Sequence, residues 1–281
     1  MWKLQILGVM AHGDEPTGQV ATDPWSIILV VLASLAASMV PLVLGFLMYN
    51  VIKRQETLSK ENYLIPTGFS FGVLLFLLFD YASLSSIFVF QLDSIVFQSV
   101  KMLIVILILY VLAAVAGTRY DEYDTSKLTR YIFLVWAIGI FIHTIGEGII
   151  MGYNLTQGIA AVFDPFSITS YMLHKFAEGI IGATLYAFVE TEDKGLLYKT
   201  AGVAGISILP GALLGYLAGI LAIDNFLSTL NIIVFTIGFA ITVFIIPSII
   251  PSKEELHKEN YFIAVALALL YMYVGVILHN I

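Results

Sequence analysis

The side chains with chemistry to offer are few, and they sit where ionisable groups are rare. Within stretches otherwise made of apolar residues stand Asp80, His143, Glu147, His174, Lys175 and Glu178. Four of them form two copies of one pattern, His143-Thr-Ile-Gly-Glu147-Gly148 and His174-Lys-Phe-Ala-Glu178-Gly179, with the histidines 31 positions apart. A spacing of four separates imidazole and carboxylate by about 6 Å along a helix and about 40° around it, so both lie on one face. Two such helices facing each other offer two nitrogens and two oxygens, a donor set suited to a divalent transition metal. The glycine after each glutamate is expected to let these two helices approach until the four donors converge. The alternative is that each is a lone polar residue satisfied by a neighbouring helix. The duplication, with a glutamate in both copies, favours a joint site.

Composition explains why these residues must be positioned by membrane-spanning helices. Of 281 residues 59% are hydrophobic and 12% charged, with a mean hydropathy of +0.95, against about 25% charged in soluble domains. A water-soluble globule is excluded. The 13 Lys+Arg are outnumbered by 20 Asp+Glu, which argues against nucleic acid as a partner, and the absence of cysteine removes disulfides and thiolate ligands. Eight apolar runs are long enough to cross about 30 Å of hydrocarbon, roughly 25–50, 65–90, 96–117, 131–153, 165–190, 200–222, 226–250 and 261–280. In lipid such runs must be helical, because the backbone has to satisfy its own hydrogen bonds. The expected fold is all-α: a short aqueous tail over 1–24, then one eight-helix domain over 25–281, with Pro41 and Pro247 inside the first and seventh helices.

Orientation follows from the basic residues. Lys53, Arg54 and Lys60 fall in the first loop, Arg119, Lys127 and Arg130 in the third, Lys194 and Lys199 in the fifth, Lys253 and Lys258 in the seventh. The fourth and sixth loops hold none. By the positive-inside rule the odd loops face the cytoplasm and both termini lie outside, which suits the cell membrane. A charge at the bilayer centre costs about 2.5 to 3.5 kcal/mol on insertion scales, so the six ionisable residues must face one another or a wet cavity.

In these residues the chain resembles the ZIP (Zrt/Irt-like) family of divalent-metal transporters. The resemblance covers all eight helices: the outside termini, the His-x-x-x-Glu-Gly of the fourth, and the His174-Lys175 of the fifth with a Glu one turn later. Pro210-Gly211-Ala212-Leu213-Leu214-Gly215 is similar to the pattern of the family's sixth helix, although Gly211, Gly215 and Gly219 also form an ordinary small-residue packing ridge. The resemblance implies carriage of zinc or a similar ion into the cytosol by alternating access, with His143, Glu147, His174 and Glu178 as metal ligands. It implies no resident cofactor and no enzymatic activity. The transported cation is Zn²⁺ first, with Fe²⁺, Mn²⁺, Co²⁺ and Cd²⁺ admitted by the same donors. Partners are the bilayer and the ion; a homodimer is compatible.

Three positions depart from the better-known pattern. Thr144 stands where Asn is frequent, Lys175 where some branches have an acid or amide, and Leu209 before the helix 6 proline where some have Glu. All belong to the family's second metal position, so a single-metal site is expected, with the Lys175 ammonium in place of a second ion. Two glutamates and Lys175 leave the empty site at −1 and the occupied site at +1, smaller than the −2 that would remain without the lysine. The alternative for Lys175 is that it anchors its helix by reaching toward water. Asp80, in Phe79-Asp80-Tyr81, lies where relatives often carry a metal-binding His at the inner part of the second helix; it either lines the route or pairs with another element. The third loop, Thr118 to Thr129, lacks the long histidine-rich insert of many members. His12 with Asp14 and Glu15, and His257, read as aqueous-segment residues. Two other classes compete with a carrier. An intramembrane metalloenzyme would need a catalytic acid or base beyond the ligands, and the chain has no His-Glu-x-x-His. A receptor or scaffold would need the cluster only for packing.

Overall fold

The computed structural model describes residues 24–58, 63–87, 95–120, 125–156, 165–189, 194–221, 223–251 and 258–279. The expected tail over 1–24 lies outside them except for Pro24, as do His12, Asp14, Glu15, Lys60, Lys253 and His257. Among the described residues all regular structure is helical: α1 Pro24–Leu47, α2 Tyr49–Leu58, α3 Leu64–Leu84, α4 Ile95–Arg119, α5 Ser126–Leu155, α6 Pro165–Ala187, α7 Gly195–Ile206, α8 Ile208–Ile220, α9 Asp224–Ile249 and α10 Glu259–His279. Four prolines, Pro24, Pro66, Pro165 and Pro210, fall in the first turn of their helices, where no intrahelical bond to the missing N–H is required. Pro41 and Pro247 lie inside α1 and α9, which continue through them.

Among the described residues seven helical stretches are long and apolar enough to cross a membrane: Ser34–Arg54, Leu64–Leu84, Ile95–Arg119, Ser126–Leu155, Gly195–Ile220, Phe226–Ile249 and Glu259–Leu278. The architecture is therefore that of a polytopic membrane protein. The remaining expected span, 165–190, is a 23-residue helix ending at Ala187, and it falls short on apolarity. The reason is its own cargo, since His174, Lys175 and Glu178 sit in its middle. Several boundaries also differ from the sequence expectation, among them the start of the fourth run, which lies at Ser126. The sixth run starts earlier, at Gly195, and is divided at Ser207. The second run stops at Leu84 because Ser85 to Ile87 turn, with Ser86 in the left-handed region (φ 50°). The buried Lys101 ammonium of α4 donates to the carbonyls of Ser85 (2.8 Å) and Ser86 (3.0 Å), a cation placed at the negative end of the α3 dipole.

Tight packing uses helices that run in the same direction. Residues of α5 meet α8 at a constant offset: Gly148 faces Ile208 and Gly211, Gly152 faces Ala212, and Gly215 faces Ile149 and Tyr153. A Cβ on Gly152 or Gly215 would collide with backbone carbonyls of the partner helix, so only glycine permits this approach. The same parallel pairing joins α1 to α6, where Gly45 crosses Gly179, and α3 to α10, where Gly68 and Gly72 meet Tyr261 and Val265. Antiparallel contacts link these pairs: α5 with α6, α5 with α9, α3 with α6 through Ser70 Oγ to Thr184 Oγ1 (2.9 Å), and α10 with α6 through Tyr271 OH to the Leu173 carbonyl (2.9 Å). By their contacts the helices fall mostly into two groups, one of α1, α5, α6, α7 and α8 and the other of α3, α4, α9 and α10, with α5 against α9 as the main junction between them.

Candidate metal centre

The site is built where α5 and α6 cross antiparallel. Counted along the helices, His143 lies about 26 Å from the start of α5 and about 18 Å from its end, and His174 about 14 Å into α6. Both are thus deep in their helices. His143 Nε2 is 3.1 Å from Glu147 Oε1 and 3.0 Å from Glu178 Oε1; His174 Nε2 is 3.1 Å from Glu178 Oε1 and 4.0 Å from Glu147 Oε1. The four donor atoms, one from each residue, all lie within 4.8 Å of one another. The edges of a tetrahedron with bonds of about 2.0 to 2.1 Å measure about 3.3 to 3.4 Å, so three of the His–Glu separations are already close to that length and the His174–Glu147 separation would have to shorten for a metal ion to be held. His143 and Glu178 are buried, at 2% and 0% exposure, while His174 (18%) and Glu147 (13%) form the accessible side.

Antiparallel crossing explains the pattern of partners. Each histidine reaches the glutamate of the opposite helix as well as its own, because the order of the two side chains is reversed between α5 and α6. The imidazoles stack with ring centroids 5.6 Å apart. Tyr81 of α3 and Phe235 of α9 cover the far face of His143, with ring centroids at 4.7 and 5.7 Å. Sequence reading missed both, since nothing local in α3 or α9 marks them as neighbours of α5.

The glycines beside the glutamates do not act as expected. Gly148 packs against α8 and Gly179 against Gly45 of α1, so neither lies between α5 and α6. The helices that approach closely are the two outer supports, and the face between α5 and α6 stays open enough for the four candidate donors to meet across it. The same contacts place Gly211 and Gly215 in the α5–α8 packing ridge, the ordinary one of the two readings of that motif.

Lys175 lies inside the site. It is fully buried, and its Nζ contacts Glu147 Oε2, donates to Glu178 Oε2 (2.7 Å) and donates to Thr144 Oγ1 (3.0 Å). These three contacts account for all three ammonium protons. Thr144 is likewise fully buried. Tyr171, one turn before Lys175 on α6, donates from its hydroxyl to Glu147 Oε2 at 3.3 Å and places its ring 5.6 Å from the ammonium. It was legible in principle, since it precedes Lys175 by four residues on the same face. Asp80 is partly exposed and within electrostatic reach of His174 and His143 but contributes no atom to the four-donor group. It stands four residues before the end of α3, at the end away from the first loop and not in the part next to it. α3 begins at Leu64 and is nearly complete by residue 80.

Comparison with family models, with curated proteins and with solved structures finds no match to this chain.

Proposed function

We propose that the chain is a carrier of divalent transition metals, of the kind the ZIP resemblance implies, which moves zinc or a similar ion toward the cytosol through the centre between α5 and α6. The observation that carries this reading is the convergence of His143, Glu147, His174 and Glu178, two duplicated motifs whose donor atoms gather within 4.8 Å deep in the helices. Four potential donors from two duplicated motifs meeting at one place favour a shared ligand over four separately satisfied residues.

In this reading α6 is an eighth crossing. Its lower apolarity is tolerated because its charged face meets α5, while α1, α3 and α10 cover other parts of it. The alternation of helix directions supports the count: α1 runs with α6, α5 with α8 and α3 with α10, while α5 opposes both α6 and α9. Eight successive crossings require those directions. Together with the basic residues of the odd loops, they favour both termini outside the cell membrane.

The test is uptake by purified protein in liposomes across a panel of Zn²⁺, Fe²⁺, Mn²⁺, Co²⁺ and Cd²⁺. Wild type should accumulate metal, and His174→Ala or Glu178→Ala should abolish accumulation in folded protein. Metal binding without movement would point to an enzyme, and neither binding nor movement to a scaffold. Full uptake by either variant would reject the site.

A further inference from the structure

The two glutamates divide their oxygens in the same way. Oε1 of each faces the histidines, whereas Oε2 of each is turned toward Lys175. On Glu147 the Tyr171 hydroxyl adds a second hydrogen bond to that same oxygen. A carboxylate with both oxygens free can grip a metal through two of them, which is how oxygen-rich sites reach six or more ligands. Here the second oxygen of each is already taken by a cation that has no proton to spare. On the His143 side, the rings of Tyr81 and Phe235 pack against the imidazole.

We infer that Lys175 on both glutamates, with Tyr171 on Glu147, holds each glutamate to a single metal-facing oxygen, so that the centre selects ions satisfied by four donors, Zn²⁺ and Co²⁺, over Mn²⁺, which favours six oxygen-rich ligands. The inference rests on the proposed metal centre and goes beyond it by assigning the coordination number and the residues that enforce it. Tyr171 is a positioning residue: it touches the ligand Glu147 and acts through it. At 3.3 Å its bond is longer than that of the ammonium to Glu178, so Tyr171 is the smaller contributor and Lys175 the larger.

The experiment uses the full-length protein in detergent and Co²⁺ as the probe. Four-coordinate tetrahedral Co²⁺ absorbs visible light intensely, and six-coordinate Co²⁺ absorbs weakly. Wild type should show the intense bands, Tyr171→Phe should weaken them, and the Zn²⁺ over Mn²⁺ uptake ratio should fall about two- to tenfold, the loss expected for one hydrogen bond. Co²⁺ bound by wild type with only weak bands overturns the coordination inference and leaves the metal centre standing. Intense bands and an unchanged uptake ratio in Tyr171→Phe would overturn the role given to that hydroxyl. Absence of Co²⁺ binding by folded wild type would overturn the proposed centre itself, and the inference with it.

Discussion

Lys175 is the residue on which the electrostatics of the centre turn. Two carboxylates buried side by side repel each other, and removing one member of a buried ion pair costs about 3 to 5 kcal/mol because it leaves charge uncompensated. The ammonium lies against both glutamates and is itself completely enclosed, so it does not reach toward water as an anchoring lysine would. Its positive charge also lies against both glutamates, where it would repel a second dication. The expected metal content of purified protein is therefore one intramembrane ion. Lys175→Asp, which replaces the cation with another ligand, should admit a second. Anomalous scattering or native mass spectrometry reads the number directly, and two well-occupied adjacent ions in wild type would refute the single-metal site.

At the scale of the helix, glycine decides which elements hold the centre from behind. α5 is clasped by α8 and α6 by α1, each at crossings where partner backbone occupies the place of a side chain. Gly152→Leu should therefore force α5 away from α8 and lower stability by about 1 to 3 kcal/mol or more, seen as a lower melting temperature in detergent. Gly202 in α7 is the internal control. Nothing lies within 4 Å of a Cβ built there, so Gly202→Ala should be neutral or stabilising by up to about 1 kcal/mol through helix propensity. Equal melting temperatures for wild type and Gly152→Leu would show that the α5–α8 contact contributes little.

Across the whole molecule, the two groups of helices meet at the centre, with α5 and α6 on one side and α3, α9 and α10 on the other. The proposed alternating access has the block containing α5 and α6 move against the rest. Ser70 of α3 and Thr184 of α6 touch across that boundary, hydroxyl to hydroxyl at 2.9 Å. The native chain has no cysteine to interfere. Oxidised Ser70→Cys/Thr184→Cys protein should bind Zn²⁺ but stop transporting it, with recovery on reduction; sustained transport by the fully cross-linked protein would argue against relative motion of the blocks. Topology has its own check. Tags at residues 1 and 281 should both be labelled from outside intact cells, and protection of either would overturn the proposed orientation.

What the sequence determined by itself was the class of molecule and the identities of the convergent side chains. Long apolar runs leave the backbone no alternative to helix in lipid, and a spacing of four on a helix puts a histidine and a glutamate on one face whatever surrounds them. Both follow from local rules, which need no knowledge of neighbours. Tertiary structure decided how the two motifs oppose each other, which helices the glycines serve, and which aromatic rings cover His143. It also placed Lys175 on the second oxygen of both glutamates and set Asp80 near the far end of α3. These depend on which helix lies beside which, and many spacings of small residues would serve any of several partners equally well. Only the packed bundle chooses among them, because each crossing must fill the space left by the others.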